Sequence, residues 1–254
     1  MQGKRIVVRL FKALLICIIL AAVVGVAGGG LFIKKIIDDT PHVSASDVKP
    51  KGFTTFVYAD DGSTEIERFV SSGSNRVYKS IDEIPKDLQH AFVAIEDERF
   101  FQHNGVDWWR TGGAVVNMFL GMRSTFGGST LTQQMLKNLT DDDKPYVNRK
   151  VREIFRALEF EKNYTKSEIL ELYLNNIYLG KGCYGVQTAA QYYFGKDVSE
   201  LSVAECASLI AITNNPSKYG PMYDITITRE DGSTVTPREL NKSRQELILS
   251  KMAE

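Results

Sequence analysis

Three cysteines in 254 residues are too few for a disulfide framework. Cys17, Cys183 and Cys206 lack the spacing of a metal site, and Cys17 stands inside an apolar run. A Cys183–Cys206 bridge can be drawn, but two buried free thiols are the expectation. Net charge is missing as well. Lys plus Arg number 31 and Asp plus Glu number 31, so the balance points to neither nucleic acid nor an acidic partner. Internal repeats and low-complexity tracts are absent, and the composition is that of an ordinary globular domain. Beyond its apolar N-terminus the chain keeps roughly 200 residues, enough for one large domain or one with a small appendage.

What the chain does have starts with that apolar run. Residues 13–33 carry no charged side chain, about the length a helix needs to cross the hydrocarbon core. Lys4, Arg5, Arg9 and Lys12 precede it. Lys34 and Lys35 follow, but Asp38 and Asp39 come soon after. The heavier basic flank predicts a cytoplasmic N-terminus with the rest outside. A cleaved signal peptide is the alternative, since Val24–Gly28 offers small residues; the length of the run favours an uncleaved anchor. The expected organisation is a cytoplasmic tail over 1–12, a transmembrane anchor over 13–37, a linker over 38–52 and one domain over 53–254.

Helix dominates that domain. Phe53–Tyr58 and Glu65–Val70 are β-prone and flank the turn-like Asp60-Asp61-Gly62-Ser63, which predicts a small hairpin. Pro85 suits a first helical turn, and Leu88, Ala91, Phe92 and Ile95 then share one face. Further helices are predicted over 107–122, 131–139, 149–161, 169–175, 186–194 and 237–254. Thr165-Lys-Ser-Glu168 and Ser202-Val-Ala-Glu205 are capping boxes, the second opening an apolar helix to Ile212. Thr226–Thr236 looks like a hairpin around Asp231-Gly232. Val115–Arg123 is unusually apolar. It reads either as core or as a membrane-dipping lip with Arg123 at headgroup level.

Four clusters could carry chemistry. In Ala91–Gly105 an apolar helix ends on Glu96, Asp97 and Glu98, beside Phe100, Phe101 and His103. A carboxylate beside a second one and against an apolar wall makes a better base than a solvated one; the bland reading is a solvated helix end. Gly127-Gly128-Ser129-Thr130 opens a helix carrying Thr132, Gln133, Gln134 and Lys137. Free N–H groups, the helix dipole and a lysine would make an anion site there, though the spacing is not that of a nucleotide P-loop. An ordinary capped helix is the alternative. Arg149 and Glu153 share one helix face, which by itself reads as a surface ion pair worth a few tenths of a kcal/mol. Lys166–Asn175 carries a core-facing stripe, with Asn175 tightening the helix end.

The order of these clusters is more specific than any one of them. Glu96-Asp97-x-x-Phe100-x-x-His103-x-Gly105 comes first, then Gly128-x-Thr130-x-Thr132-Gln133-Gln134. Arg149-Lys150-x-x-Glu153 follows, then Lys166-x-x-Ile169-Leu170-x-x-Tyr173-Leu174-Asn175. The series resembles that of the peptidoglycan glycosyltransferases, found in class A penicillin-binding proteins and in monofunctional glycan polymerases. Ala204–Ala211 followed by Asn215-Pro216-Ser217 also resembles that family, and the likeness runs from about Phe53 to Met252. The resemblance implies a mainly α, lysozyme-like domain with a small hairpin and one transmembrane helix, in the bacterial cell membrane. It implies lipid II and the growing glycan chain as substrates, with no nucleic acid and with cell-wall synthesis or division proteins as candidate partners. Glu96 matches the base that deprotonates the acceptor 4-hydroxyl, and Glu153 the second carboxylate. Ser129, Thr130, Gln133, Gln134, Lys137 and Arg149 match substrate-binding positions around the donor sugar and diphosphate, and Asp97 is counted with the substrate-binding residues as one that shapes the site. No cofactor is implied; a divalent ion, Mg or Mn, is compatible with a diphosphate, but no ligand cluster demands one.

Two departures stand out. The family often has an arginine near the position of Gly113, where Arg110 could substitute. The final helix simply stops, which suggests a piece of a longer bifunctional protein, though a monofunctional enzyme fits too. Ser46-Asp-Val-Lys49 has the spacing of a Ser-x-x-Lys nucleophile without its Lys-Thr-Gly partner, and reads as chance. A lytic glycan hydrolase and an inactive scaffold are the competing functions. The anion-binding cluster and anchor argue against the first, and retention of both Glu96 and Glu153 against the second.

Overall fold

The structure is a computed structural model and describes residues 2–49, 52–70, 75–119, 128–140 and 146–253. In chain order the elements are α1 (Gln2–Asp38), α2 (Ala45–Val48), β1 (Thr55–Tyr58), β2 (Glu65–Phe69), α3 (Lys86–Glu96), α4 (Trp108–Phe119), α5 (Leu131–Thr140) and α6 (Tyr146–Phe160). Then come α7 (Lys166–Asn176), α8 (Val186–Phe194), α9 (Val203–Ala211), α10 (Pro216–Tyr219), β3 (Ile227–Thr228), β4 (Thr234–Val235) and α11 (Pro237–Ala253). The mainly α expectation holds. Both predicted hairpins form, β1 antiparallel to β2 and β3 antiparallel to β4.

The chain divides into two compact units. One comprises residues 1–42 and 142–155, the other residues 43–141 and 156–254. The first contains α1, whose stretch Leu15–Asp38 is long and apolar enough to cross a membrane; within it Ile36 is buried. The N-terminal part of α6 belongs to it as well.

The second unit is a helical core. α3 packs on α9 and α11, and α5 packs on α7. Leu88, Ala91 and Phe92 of α3 are fully buried, as are Leu209 and Ile210 of α9. Ile95, predicted to share that buried face, is only partly covered. Both capping boxes form: Thr165 accepts from the Glu168 N–H, and Ser202 from the Glu205 N–H. The glutamates reach back to the cap N–H groups. Cys183 and Cys206 are buried free thiols, their pKa values pushed by burial to about 11 and about 12. Asn175 does more than tighten a helix end. Fully buried, its carboxamide accepts from the Lys79 N–H at 2.9 Å and donates to the Lys79 carbonyl at 2.7 Å. It thereby clasps a segment 96 residues away. Of the stretch Val115–Arg123, residues 115–119 continue α4, with Val116 exposed, and residues 120–123 lie outside the described residues. The described start of α4 exposes Trp108 and Trp109.

Candidate active site

The site is built at the C-terminal end of α3. The helix stops at Glu96, and Asp97 leaves helical geometry at φ −155°. This break sends neighbouring carboxylates in different directions. Asp97 turns inward and is fully buried; Glu96 stays half-buried and Glu98 is exposed.

Asp97 is a hub. Its Oδ2 accepts from the Leu131 N–H at 2.9 Å, and His103 Nε2 lies 3.1 Å from both carboxylate oxygens. The Arg110 guanidinium is 3.7 Å away and donates to the Glu96 carbonyl at 3.1 Å. A buried carboxylate is tolerable only with such charge and hydrogen-bond compensation.

Of the two readings of the start of α5, the geometry favours the capped helix. Its first N–H groups are not open to an outside anion. Leu131 N–H is taken by Asp97, and Thr130 Oγ1 accepts from Gln133 N–H at 3.2 Å. The Gln133 side-chain oxygen accepts from Thr130 N–H at 3.1 Å. Thr130-x-x-Gln133 is therefore a capping box, and the anion at the positive end of the helix dipole is the protein's own Asp97. Thr130 also donates to the Gly105 carbonyl at 2.7 Å. Gly105 has φ +86°, and a Cβ there would lie 2.5 Å from the Ala157 carbonyl oxygen. Only glycine suits both the backbone and the close approach. Thr130, Thr132 and Gln133 are all buried, while Ser129 and Gln134 are half-buried and Lys137 is exposed.

Two more pairs brace the walls. The Arg99 guanidinium grips Asp107 through two nitrogens, Nε at 2.8 Å from Oδ2. Burial opposes the Asp107 charge, but the Arg110 N–H and the Arg99 guanidinium outweigh it and hold its pKa below the usual carboxylate range. Lys166 pairs with Glu161 at 2.6 Å and sits over the Phe100 ring at 4.3 Å.

Glu96 itself receives one donor on each oxygen. Thr213 Oγ1 donates to Oε1 at 2.8 Å, and Gln134 Nε2 donates to Oε2 at 3.2 Å. A carboxylate has about four lone-pair sites, so this side chain is oriented without being used up. Tyr173 adds a further constraint. Burial, then the nearby Glu96 charge, pushes its pKa well above that of an ordinary phenol. Its neutral hydroxyl makes a long contact, 3.4 Å, to Gln134 Oε1. That contact turns the amide so that its NH₂ group faces Glu96.

The structure thus brings Glu96, Asp97, Thr130, Gln133 and Gln134 into one hydrogen-bonded cluster. Arg149 and Glu153 lie in the other unit. There Glu153 is buried and paired with Arg149 at 3.4 Å and Lys150 at 3.3 Å, so it is no solvated surface pair. Thr213 was not among the residues the sequence nominated, and Tyr173 stood there only as part of the fourth motif and its core-facing stripe. Thr213 follows the apolar α9, a polar group at the end of a core helix, and that was its one signal. Among the described residues, no group of three or more His, Cys, Asp or Glu side chains converges as a metal site.

A half-buried acid oriented by neutral donors, beside a buried charge hub, defines a class of site suited to proton abstraction next to a bound polar substrate. Comparison with known proteins gives the family. A family model described as transglycosylase matches residues 62–253, and the chain belongs to that family: it carries a peptidoglycan glycosyltransferase domain. It is 38% identical over 214 residues to penicillin-binding protein 1A/1B of Bacillus subtilis, covering 84% of this chain and 23% of the relative. It is 35% identical over 252 residues to penicillin-binding protein 1A of Clostridium perfringens, covering 98% and 36%. With penicillin-binding protein 1A of Aquifex aeolicus it shares 47% identity over 148 residues, covering 58% and 20%. A crystal structure of penicillin-binding protein 1A from Haemophilus influenzae aligns at 23% identity and TM-score 0.38, covering 79% of this chain and 18% of that one. The chain spans only 20% to 36% of the length of the three sequence relatives.

Proposed function

We propose that this chain polymerises lipid II into glycan strands by inverting glycosyl transfer, releasing polyprenyl diphosphate. Glu96 is the general base. It takes the proton of the acceptor 4-hydroxyl as that oxygen attacks the donor's anomeric carbon, and the diphosphate leaves from the opposite face. The leaving group is already anionic, so it needs charge stabilisation more than a proton. Lys137 and Arg149 supply that charge. Ser129 and Gln134 contact the donor, and Glu153, paired with Arg149 and Lys150, is the second carboxylate. Asp97, Thr130 and Gln133, being buried, position the others rather than touch sugar. In this reading α1 is the membrane anchor, with the catalytic domain outside, and it keeps the enzyme at a substrate that cannot leave the bilayer.

The observation that carries the reading is the pair of donors on Glu96, which leaves free lone pairs on both oxygens. No cofactor takes part in the step. A Mg or Mn ion at the diphosphate would add charge without being required, so EDTA is not expected to abolish turnover. The test is to supply the protein with lipid II and, separately, with isolated cell-wall sacculi. Polymer from lipid II and intact sacculi are expected. Soluble fragments from sacculi without polymer would instead establish a lytic hydrolase.

A further inference from the structure

Arg76 is a buried charge in the second unit that the Glu96 cluster does not use. Its backbone is pinned on two sides. Thr54 N–H donates to the Arg76 carbonyl at 2.9 Å, and Arg76 N–H donates to Thr54 Oγ1 at 3.2 Å. On the other side Arg76 bridges Tyr184 in parallel. The residue is only 7% exposed. Its guanidinium lies 5.2 Å from the centroid of the Tyr184 ring, and Nη1 makes one long contact, 3.4 Å, to the Gly52 carbonyl. Its Nε is buried without a hydrogen-bond partner. Among the described residues no carboxylate pairs with it. The Glu171 carboxylate is instead taken up by the Tyr78 hydroxyl and the Ile81 N–H. Burial without a counter-charge lowers the Arg76 pKa, and such a burial is costly unless something compensates it.

Arg76 lines a cavity of about 630 Å³, within the range that holds small ligands. Its walls are Phe53, Phe56, Val77, Tyr78 and Leu172, with Thr54 among them and Lys49 as a second cation. The Phe53 ring stands edge-on to Tyr78 at 6.4 Å, so the aromatic wall is formed in advance. An apolar pocket lined by an arginine without a carboxylate partner, and by a lysine, selects a ligand of matching polarity.

We propose that this pocket binds an amphipathic anion, a carboxylate or phosphate carrying a short apolar group. The charge is received by Arg76 and the apolar body by Phe53, Phe56 and Leu172. A bound oxyanion would supply the counter-charge that Arg76 lacks, and a planar guanidinium can engage carboxylate or phosphate through its terminal nitrogens. The site is separate from the Glu96 cluster and does not depend on the activity assigned there.

The test uses the full chain in zwitterionic nanodiscs, with calorimetric titration of octyl phosphate, octanoate, inorganic phosphate and neutral octanol. Saturable binding is expected for octyl phosphate or octanoate, and the tighter of the two identifies the headgroup. Inorganic phosphate should bind about tenfold or more weakly because it leaves the apolar walls wet. Arg76→Gln should weaken the anion about tenfold or more, and Arg76→Lys should restore part of that loss. Phe53→Glu, at an exposed wall position, should abolish binding by bringing a competing carboxylate, and it keeps the test decisive should Arg76→Gln fail to fold. Absence of binding by both amphiphiles would overturn the proposal. So would octanol binding equal to theirs, inorganic phosphate binding equal to theirs, or binding unchanged in Phe53→Glu.

Discussion

At the scale of single residues, two side chains that look alike in sequence do different work. Glu96 is half-buried with one neutral donor on each oxygen, whereas Asp97 is buried and consumed by Leu131, His103 and Arg110. Asp97→Asn is therefore expected to act on stability, by about 2 kcal/mol or more, because it leaves the groups around it uncompensated. Thermal unfolding checks this; an unchanged midpoint with a raised KM would make Asp97 a ligand after all. Thr213 is a positioning residue for Glu96. Thr213→Val should lower kcat about tenfold with little change in KM, and Thr213→Ser, which keeps the hydroxyl, should restore most of it. Steady-state kinetics on the three proteins decides between this and a packing role, which serine would not rescue.

At the scale of elements, what was legible in the sequence was local. Capping boxes were readable at Thr165 and Ser202 because cap and glutamate are three residues apart. The box at Thr130 was equally local, but its glutamine sat in a polar run that also suited anion binding. Deciding between the two needed Asp97, 34 residues away, to fill the helix start. The Thr213–Glu96 bond spans 117 residues, and no periodicity announces it. Burial likewise separated Glu153 from a surface ion pair. Gly105 is where the α3–α4 connection touches α6, so Gly105→Ala should cost about 2 kcal/mol or more, through backbone strain and the close Ala157 carbonyl. Denaturant unfolding measures this. The cap glutamates give a pH signature. Glu205 is held at about 2, most strongly by its Lys196 hydrogen bond and then by the Ser202 N–H. Its folded pKa lies below its unfolded one, so its contribution is complete above about pH 4.5 and is lost as pH falls toward 2. Glu205→Gln should flatten part of the fall in melting temperature across that window.

At the scale of the whole molecule, a long apolar helix precedes a mainly α transglycosylase domain. If α1 serves to hold the enzyme beside a membrane-bound substrate, its worth is an effective concentration. Replacing residues 2–38 with a soluble tag should then reduce turnover of bilayer-embedded lipid II by about 10²-fold, yet spare turnover of a short-chain, water-soluble analogue. Equal losses on both substrates would assign α1 a structural role instead. The central claim concerns one carboxylate in the other unit. Its most direct measurement is single-turnover polymerisation of lipid II by Glu96→Gln, with lipid II binding measured in parallel. Glutamine keeps the size and can still accept from Thr213, but it cannot take a proton. The account predicts binding within about twofold of the parent chain and a chemical step slowed about 10²–10⁴-fold. A variant that polymerises at the parent rate would contradict it.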